Sequence, residues 1–351
     1  MTTPLKHRDL IAQLTLEEKA GLTSGANFWN TKAVPHLGIE SMMLTDGPHG
    51  LRKQGGKADH LGLNKSIPAT CFPPAATLAN SWDPELLEEV GAVLGAEAAA
   101  EDVSVLLGPG LNLKRNPLGG RNFEYFSEDP LLSGTLAAAM IRGIQSTGVA
   151  ACPKHFAVNS QETHRMNVDE IVDTRALHEL YLEGFRIAVT EGGARTVMSA
   201  YNQVNGTYAH EHEYLLTEVL RRRWGFDGMV VSDWGGTQDR VASLKAGGSL
   251  EMPSTNGMTD RDVVDAVREG RLDEAVLDAR VDEVLTVLID SREAMGRGRV
   301  SQADAHRKAV DAATRSVVLL SNDGILPLVD ASQRIAIVGE FADVPRYQGA
   351  G

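Results

Sequence analysis

The feature of this sequence that most constrains its fold is a regular alternation of short apolar runs, rich in β-branched residues, with long helical stretches. Seven runs are candidate strands, at residues 41–45, 69–72, 104–108, 149–153, 196–200, 229–232 and 248–251. Four stretches between them are candidate helices, at residues 84–102, 130–146, 175–191 and 214–224. Strands that alternate with helices indicate βαβ units and a parallel sheet. About seven such repeats in about 250 residues match a (β/α)8 barrel better than a doubly wound sheet.

The alternation ends near residue 260. Beyond it three consecutive helices are predicted, at residues 262–269, 272–295 and 303–320. The apolar run 334–339 then predicts one buried strand, and a lone strand cannot cover its own two faces. We therefore expect three parts, which are a barrel over residues 1–300, a helical linker over 301–324 and, over 325–351, the start of an incomplete second α/β domain.

Charge and hydropathy exclude several classes of partner. The sequence holds 34 Lys and Arg against 47 Asp and Glu, a formal net charge of −13. Such an acidic surface repels phosphate groups, so we expect no nucleic-acid partner and no anionic membrane partner. No stretch approaches the ~18 apolar residues of a membrane span, and the first residues lack the apolar core of a signal peptide. Cys71 and Cys152 stand in apolar runs as expected buried thiols, which together with the missing signal favours a cytoplasmic location.

Motifs for cofactors are missing from the sequence. No GxGxxG or P-loop pattern opens a candidate helix, so nothing indicates a nucleotide site. His210 and His212 stand two residues apart, but no cysteine or further ligand surrounds them. We interpret both as surface residues rather than metal ligands. The sequence therefore predicts neither a metal nor an organic cofactor.

Polar side chains directly follow five of the apolar runs. They include two carboxylates, several cations, a histidine and aromatic residues, namely Asp46, Arg52, Lys114, Arg115, Arg121, Lys154, His155, Tyr201, Asn202, Asp233 and Trp234. In a (β/α)8 barrel the catalytic groups emerge where the strands end. Taken singly, Asp46 or Asp233 is explained by helix capping, and Trp234 by core packing. Their shared position instead favours a pocket for a small polyol, whose hydroxyls would hydrogen-bond to the charged side chains.

Five motifs carry these residues in order along the chain. They are TDGPHGLR at residues 45–52, GGRNFEYFSEDP at 119–130, KHFAVNSQE at 154–162, MSAYN at 198–202 and GFDGMVVSDW at 225–234. In order and spacing they resemble the motif series of family 3 glycoside hydrolases, and the β-glucosidase branch is the most similar. The resemblance runs from about residue 5 to the end of the chain, and it implies a (β/α)8 catalytic barrel.

The resemblance also implies roles for individual residues. Asp233 matches the nucleophile that forms a covalent glycosyl intermediate. The residues that match the subsite for the non-reducing-end sugar are Asp46, Arg52, Arg121, Lys154, His155, Arg165 and Tyr201. Met198 and Trp234 match the apolar walls of that subsite. A nucleophilic carboxylate must be ionised, and we expect the nearby Lys154 and Arg121 to keep Asp233 so.

The implied activity is that of a retaining exo-β-glucosidase, which hydrolyses terminal non-reducing β-D-glucosyl residues without a cofactor. Such a mechanism needs two carboxyl groups about 5–5.5 Å apart. In the β-glucosidase branch the second carboxyl group belongs to a Glu of an αβα-sandwich domain. Residues 335–351 of this chain resemble the opening of that domain. We therefore expect the acid/base Glu to be absent from this chain and the missing domain to be its partner.

Two departures from the family pattern matter. The N-acetylglucosaminidase branch carries a catalytic His in a Lys-His-Phe-Pro-Gly-His-Gly loop, whereas residues 154–160 read Lys-His-Phe-Ala-Val-Asn-Ser. An amino-sugar substrate is therefore disfavoured. Ser249 stands where the family usually has Asp, so we expect altered support of the site near the run 248–251.

Two alternatives remain open at this point. One is a β-xylosidase or another β-glycosidase of the same family, because absent sequence partly shapes the leaving-group side. The other is a non-catalytic sugar-binding barrel, with an intact pocket and no acid catalyst. Substrates with good and poor leaving groups distinguish this second alternative from an enzyme, because a leaving group of low pKa departs without protonation.

Overall fold

The computed structural model of the chain describes residues 4–55, 66–330 and 332–344. Its strands are β1 (Leu44–Asp46), β2 (Val105–Leu107), β3 (Ala150–Ala151), β4 (Asp169–Glu170), β5 (Thr196–Met198), β6 (Gln203–Val204), β7 (Thr207–Tyr208) and β8 (Met229–Val231). Its α-helices are α1 (Arg8–Ile11), α2 (Leu16–Leu22), α3 (Ala75–Leu78), α4 (Pro84–Ala100), α5 (Pro130–Gln145), α6 (Thr174–Ala176), α7 (Glu183–Thr190), α8 (Arg240–Ala246), α9 (Met258–Arg268), α10 (Glu274–Arg292) and α11 (Gln302–Ser316). Wider π-helical segments occupy Leu177–Tyr181 and Tyr214–Arg223.

Local sequence explains where the long helices begin. Asp83 precedes Pro84 at the start of α4, and its side chain accepts a hydrogen bond from the backbone N–H of Leu86. Asp129 and Pro130 repeat this arrangement at the start of α5. A capping carboxylate satisfies free N–H groups of the first turn, and proline fits the first helical position because its missing N–H is not needed there.

The strands that precede the site are parallel. Strands β1, β2 and β3 form one sheet in that order, with Leu44 beside Val105 and Val105 beside Ala150. Strands β5 and β8 form a second sheet, with Thr196 beside Met229. The third sheet, β4–β6–β7, is a small ribbon outside this series. The predicted α/β class with parallel strands is confirmed.

Backbone hydrogen bonds outside the named strands continue the series between the sheets. Phe156 N–H donates to the carbonyl of Met198 at 2.8 Å, which connects the segment after β3 to β5. Ser232 N–H donates to the carbonyl of Leu250 at 2.9 Å, so the run 248–251 lies beside the end of β8 as isolated bridges rather than as a strand. The sheets do not display one closed eight-stranded barrel, and the barrel stays a prediction.

Both faces of the parallel strands are buried, each in a different apolar cluster. Leu106 and Val230 pack with helices α4, α5 and α7 in one cluster. Their neighbours Val105 and Val231 pack in the other, together with residues of α9 and α10. Strands that are covered on both faces need a continuous apolar run, which explains the run pattern of the sequence.

Besides the run 248–251, two predicted strands are wrong. Residues 69–72 are irregular because the backbone N–H and hydroxyl of Thr70 bond to the carboxylate of Glu97 in α4 instead of to another strand. Residues 334–339 form no strand either, because no other described segment pairs with them. Every described residue from 317 to 344 is exposed.

Several predicted helices have different bounds, and the helix predicted over 262–269 already begins at Met258. The helix predicted over 303–320 ends at Ser316, where Val317 turns to an extended backbone. The helix predicted over 175–191 is divided into α6, a π-helical segment and α7. In the part of the chain that the structure describes, no helix is both long and apolar enough to cross a membrane.

Candidate active site

A cavity of about 370 Å³ lies at the carboxyl ends of the parallel strands. All ten residues predicted for the site line it, namely Asp46, Arg52, Arg121, Lys154, His155, Arg165, Met198, Tyr201, Asp233 and Trp234. Their roles stay predictions, but their common position is a feature of the fold. A larger cavity of about 560 Å³ lies against α4 and residues 298–302, away from these groups.

Asp46 and Lys154 form an ion pair at the base of the cavity. Lys154 Nζ donates to Asp46 Oδ1 at 2.7 Å, and the Lys154 side chain is almost fully buried. Burial alone would raise the pKa of the Asp46 carboxyl, but Lys154, Arg121 and Arg52 together hold that pKa below its usual value. Asp46 is therefore an anion at neutral pH and a poor proton donor.

This pair predicts a pH-dependent contribution to stability. Because the pKa of Asp46 is lowered in the fold, its contribution is present above the unfolded pKa of about 3.9 and is lost as pH falls through the folded value. Lys154→Met leaves a buried charge unpaired and is expected to cost about 2–4 kcal/mol at neutral pH. The double variant with Asp46→Asn is expected to cost about 0.5–3 kcal/mol less than the sum of the single variants.

Urea unfolding of the four proteins at pH 7 and pH 3 measures both effects. The difference in unfolding free energy between Lys154→Met and the wild type is expected to shrink at pH 3. Strictly additive single and double variants at pH 7 would contradict the pairing.

Arg121 and Glu124 form the second ion pair of the cavity. They bracket the short 3-10 turn Asn122–Glu124, and Arg121 Nε donates to Glu124 Oε1. Glu124 is only 2% exposed. The pKa of the Arg121 guanidinium is raised well above its usual value because Glu124 outweighs the effect of burial. Glu124 is a lining residue that the sequence analysis did not place in the site.

Asp233 follows β8 and is 8% exposed at the cavity. Its Oδ1 accepts a hydrogen bond from the backbone N–H of Trp234 at 2.8 Å, while its Oδ2 has no hydrogen-bond partner among the described residues. Burial raises the pKa of the Asp233 carboxyl, and Arg121, Lys154 and Arg165 only partly offset that effect. Desolvation is therefore the larger influence on the pKa of Asp233, and the expectation that Lys154 and Arg121 keep the carboxyl ionised stays a prediction.

His155 lies beside Asp233 in the cavity wall. Its Nε2 is 3.7 Å from Asp233 Oδ2, too far for a hydrogen bond. Asn112 holds the backbone of His155 on both sides, since its Oδ1 accepts from the N–H at 2.7 Å and its Nδ2 donates to the carbonyl at 2.9 Å. Burial, with Arg121 and Lys154, places the pKa of His155 well below its usual value, so the ring is neutral.

An aromatic wall closes one side of the cavity. Phe28 and Trp29 pack edge to face with ring centroids 4.7 Å apart, and Trp29 lies 5.3 Å from Trp234. The Trp234 indole N–H donates to the carbonyl of Phe28 at 2.7 Å. Sequence analysis missed Phe28 and Trp29, although two adjacent aromatic residues in a loop rich in Asn and Ser are a signal for a contact surface.

Arg165 and Tyr201 also line the cavity. The Arg165 guanidinium lies 4.8 Å from the centroid of the Tyr201 ring, a cation–π distance. Tyr201 donates its hydroxyl proton to the carbonyl of Trp234 at 2.9 Å. Arg165 also bonds to Glu162 Oε2 at 3.0 Å. The remaining lining residues that sequence analysis did not predict are Gln54, Leu107, Gly120 and Phe123.

Ser249, the departure from the family pattern, is held by another carboxylate. Its hydroxyl donates to Glu283 Oε2 at 2.5 Å and accepts from the backbone N–H of Val230 at 2.9 Å. Arg221 bonds to the same Glu283 oxygen at 2.8 Å. Glu283 of α10 thus supplies a carboxylate beside the end of β8, and the run 248–251 stays in place.

The two histidines considered as metal ligands are separated by their surroundings. His210 is buried, with Nδ1 2.9 Å from the hydroxyl of Ser199, so the interpretation as a surface residue is wrong for it. Burial lowers the pKa of His210 to about 3. His212 is partly exposed. Over residues 4–55, 66–330 and 332–344, no group of three or more His, Cys, Asp and Glu side chains is placed to hold a metal ion.

The sequence matches one protein family over most of its length. Residues 36–287 match the family model described as the glycosyl hydrolase family 3 N-terminal domain. The chain is 56% identical over 346 residues to thermostable β-glucosidase B of Acetivibrio thermocellus, with 98% of this chain and 46% of that protein covered. It is 48% identical over 353 residues to an exo-α-(1→6)-L-arabinopyranosidase of Bifidobacterium longum, with 97% and 46% covered.

A solved structure agrees with the fold. β-Glucosidase 3B from Thermotoga neapolitana, in complex with α-D-glucose, superposes with a TM-score of 0.86 at 41% identity, with 92% of this chain and 48% of that chain covered. The chain thus spans about half the length of the relatives it matches.

Proposed function

The chain belongs to glycoside hydrolase family 3, and we propose that it carries the sugar subsite and the nucleophile of a retaining exo-β-glucosidase. The observation that carries this proposal is the position of Asp233. Its Oδ2 has no hydrogen-bond partner among the described residues, and it lies at a cavity that cations and aromatic rings line. A buried carboxylate oxygen without a partner is costly unless a ligand or a reaction uses it.

The proposed reaction proceeds in two steps. Asp233 Oδ2 bonds to the anomeric carbon while the bond from that carbon to the glycosidic oxygen breaks, and the departing oxygen keeps the electron pair. Water then bonds to the same carbon while the bond from that carbon to Asp233 Oδ2 breaks, which releases the sugar and restores the carboxylate. The proton that the water loses balances the one that the departing oxygen takes up, and the two are exchanged through solvent or an acid/base group. The raised pKa of Asp233 favours bond formation by a poorly solvated, reactive anion once it is ionised.

A proton for the departing oxygen needs a second carboxyl group. Besides Asp233, the described carboxyl groups that line the cavity are those of Asp46 and Glu124, and each is bonded to a cation. A carboxylate that is held by Lys or Arg gives up its ion pair when it is protonated, so neither suits general acid catalysis. We therefore propose that the acid is not one of the residues of this chain.

The parallel segments are proposed to be the wall of a (β/α)8 barrel around this site. Support comes from the backbone hydrogen bonds that continue from β1–β3 through β5 and β8 to Leu250. Gly25 N–H then donates to the carbonyl of Glu251 at 3.0 Å, and Leu44 N–H donates to the carbonyl of Trp29 at 2.9 Å. This sequence of bonds returns to β1, which is what a ring requires.

Glucose is the proposed sugar, with two kinds of support. The curated relative at 56% identity is named a β-glucosidase, and a solved relative holds glucose. The ion pairs supply charged partners for several hydroxyls, each worth roughly 1.5–3 kcal/mol. The relative named an arabinopyranosidase makes a pentopyranose the second candidate.

Mechanism-based labelling tests the proposal. Dinitrophenyl 2-deoxy-2-fluoro-β-glucoside needs no acid to release its phenol, and it is expected to leave a glucosyl group on Asp233 that peptide mass spectrometry locates. The labelling rates of the matching fluoro-xyloside and fluoro-arabinoside show which sugar the site prefers. The control is Asp233→Asn, which is expected to remain unlabelled. A label on any other carboxylate would refute the assignment, and faster labelling by a pentoside would favour the second candidate.

A further inference from the structure

We propose that Tyr125 and Asn159 are positioning residues that fix the proton of the His155 ring on Nε2, the atom that faces Asp233. Neither Tyr125 nor Asn159 lines the cavity. Both lie behind His155 and are buried. The inference concerns the ring itself, and its use in catalysis rests on the proposed function.

Glu162 determines the orientation of the Asn159 amide. Glu162 Oε1 lies 3.1 Å from Asn159 Nδ2, and its Oε2 accepts from Arg165. A carboxylate that is paired with an arginine accepts hydrogen bonds and does not donate them. The Asn159 atom that faces Glu162 is therefore the amide nitrogen, which donates one of its two hydrogens there.

The second hydrogen of the same nitrogen determines the role of Tyr125. Asn159 Nδ2 lies 3.0 Å from the Tyr125 hydroxyl oxygen, which accepts this hydrogen. The other neighbour of that hydroxyl is His155 Nδ1, at 3.1 Å. Burial raises the pKa of Tyr125, so the phenol keeps its proton. Because Asn159 already donates to this hydroxyl oxygen, Tyr125 donates its own hydrogen to the other neighbour, His155 Nδ1.

The tautomer of His155 follows from that contact. The ring is neutral, so it carries one proton, and an Nδ1 that accepts a hydrogen bond leaves that proton on Nε2. Nε2 is the atom 3.7 Å from Asp233 Oδ2. The opposite tautomer would point a lone pair at a carboxylate oxygen, and it would leave two hydrogen-bond donors, Tyr125 O–H and His155 Nδ1–H, facing each other.

The consequence for the site is a fixed neutral donor beside the nucleophile. The Nε2–H group is too far from Asp233 to bond to it directly, so it is left to a substrate oxygen that enters the cavity. The hydrogen bonds thus connect Arg165, at the cavity, through Glu162, Asn159 and Tyr125 to the ring of His155.

Long-range ¹H–¹⁵N correlation spectra of the full chain, labelled on histidine, test the inference directly. The ¹⁵N shifts of the two ring nitrogens distinguish the tautomers without any need for turnover. The chain has ten histidines, and His155→Gln assigns the signal. A protonated Nε2 at pH 7 is expected, and a protonated Nδ1 would overturn the proposal.

Two variants extend the test. Asn159→Asp replaces the donor with an acceptor, so Tyr125 is expected to donate to Asp instead and the His155 proton to move to Nδ1. Tyr125→Phe removes the hydrogen bond and is expected to leave a mixture of tautomers. Tyr214→Phe is the matched control, because Tyr214 lies 2.7 Å from Nε2 of a different histidine, His178. An unchanged His155 spectrum in both test variants would overturn the proposal.

Kinetics separate this inference from the proposed function. On a dinitrophenyl β-glucoside, loss of one neutral hydrogen bond in Tyr125→Phe is expected to lower kcat/KM about three- to tenfold. Asn159→Asp, which reverses the donor, is expected to lower it more than Tyr125→Phe does. An Nε2–H ring in a chain that turns over no glycoside would support the tautomer and refute the proposed activity.

Discussion

Replacement of Asp233 by alanine is expected to abolish turnover of aryl β-glucosides and to leave the fold intact. Loss of the covalent route costs several orders of magnitude in rate, on the order of 10⁴ or more. The fold tolerates the change because the pKa of Asp233 is raised by burial. A carboxyl group whose pKa is raised in the fold stabilises the fold only while it is protonated, and this contribution is lost as pH rises through the raised pKa. Removal of the Asp233 carboxyl at neutral pH therefore removes no favourable charge interaction.

Azide gives this prediction a positive readout. A small anion can occupy the space that the carboxylate leaves and attack the anomeric carbon from the same face, so the expected product is α-glucosyl azide. Asp227→Ala is the matched control, because Asp227 is 71% exposed and pairs with Lys6 far from the cavity. Turnover by Asp233→Ala within tenfold of the wild type, or a β-azide product, would show that Asp233 is not the nucleophile.

The position of the site could be predicted because it depends on a simple rule. Each polar residue that follows an apolar run comes to one edge when the runs are parallel, and the alternation of strands with helices makes them parallel. Asp46, Lys154, Tyr201 and Asp233 follow four different runs and line one cavity. No long-range information beyond the parallel arrangement was needed for these four.

The residues that sequence analysis missed lie outside that rule. Phe28 and Trp29 belong to a loop near the amino terminus, and they reach the cavity through contact with Trp234, about 200 residues away in the chain. Loop residues follow neither the strand nor the helix period, so no pattern places them. Their role depends on tertiary packing alone.

The errors in the fold have the same origin. An apolar run becomes a strand only when another backbone pairs with it. Residues 69–72 lie beside α4, where Glu97 takes the hydrogen bonds of Thr70. Residues 334–339 have the composition of a buried strand, but no segment that the structure describes pairs with them, and they are exposed. The desolvation of Asp233 likewise depends on a burial that the sequence does not display.

The second large effect is expected in the dependence of rate on the leaving group. A phenol of low pKa departs without protonation, whereas the sugar alkoxide released from cellobiose needs an acid. The described carboxyls of the cavity are that of Asp233, the proposed nucleophile, and those of two partners of cations. This chain is therefore expected to form the glycosyl intermediate from dinitrophenyl β-glucoside slowly and to cleave cellobiose at least about 10²–10⁴-fold more slowly still.

Stopped-time assays of the purified chain on both substrates measure this difference. Asp233→Ala, purified in the same way, reports any contaminating host glucosidase. Cleavage of cellobiose at a kcat in the ordinary range of ~1–10³ s⁻¹ would mean that this chain holds an acid. Glu162 would then be the first residue to replace, because it belongs to the loop after His155 and lies beside Gly120 of the cavity wall.

The contacts of Glu162 argue against that outcome. One of its oxygens accepts from Asn159 and the other from Arg165, so protonation would break the ion pair and reverse the donor that orients Asn159. Glu162→Gln is expected to leave the ratio of the two rates unchanged and to lower both modestly through the ring of His155. An acid catalyst would instead show the opposite pattern, a large loss on cellobiose and almost none on the dinitrophenyl substrate.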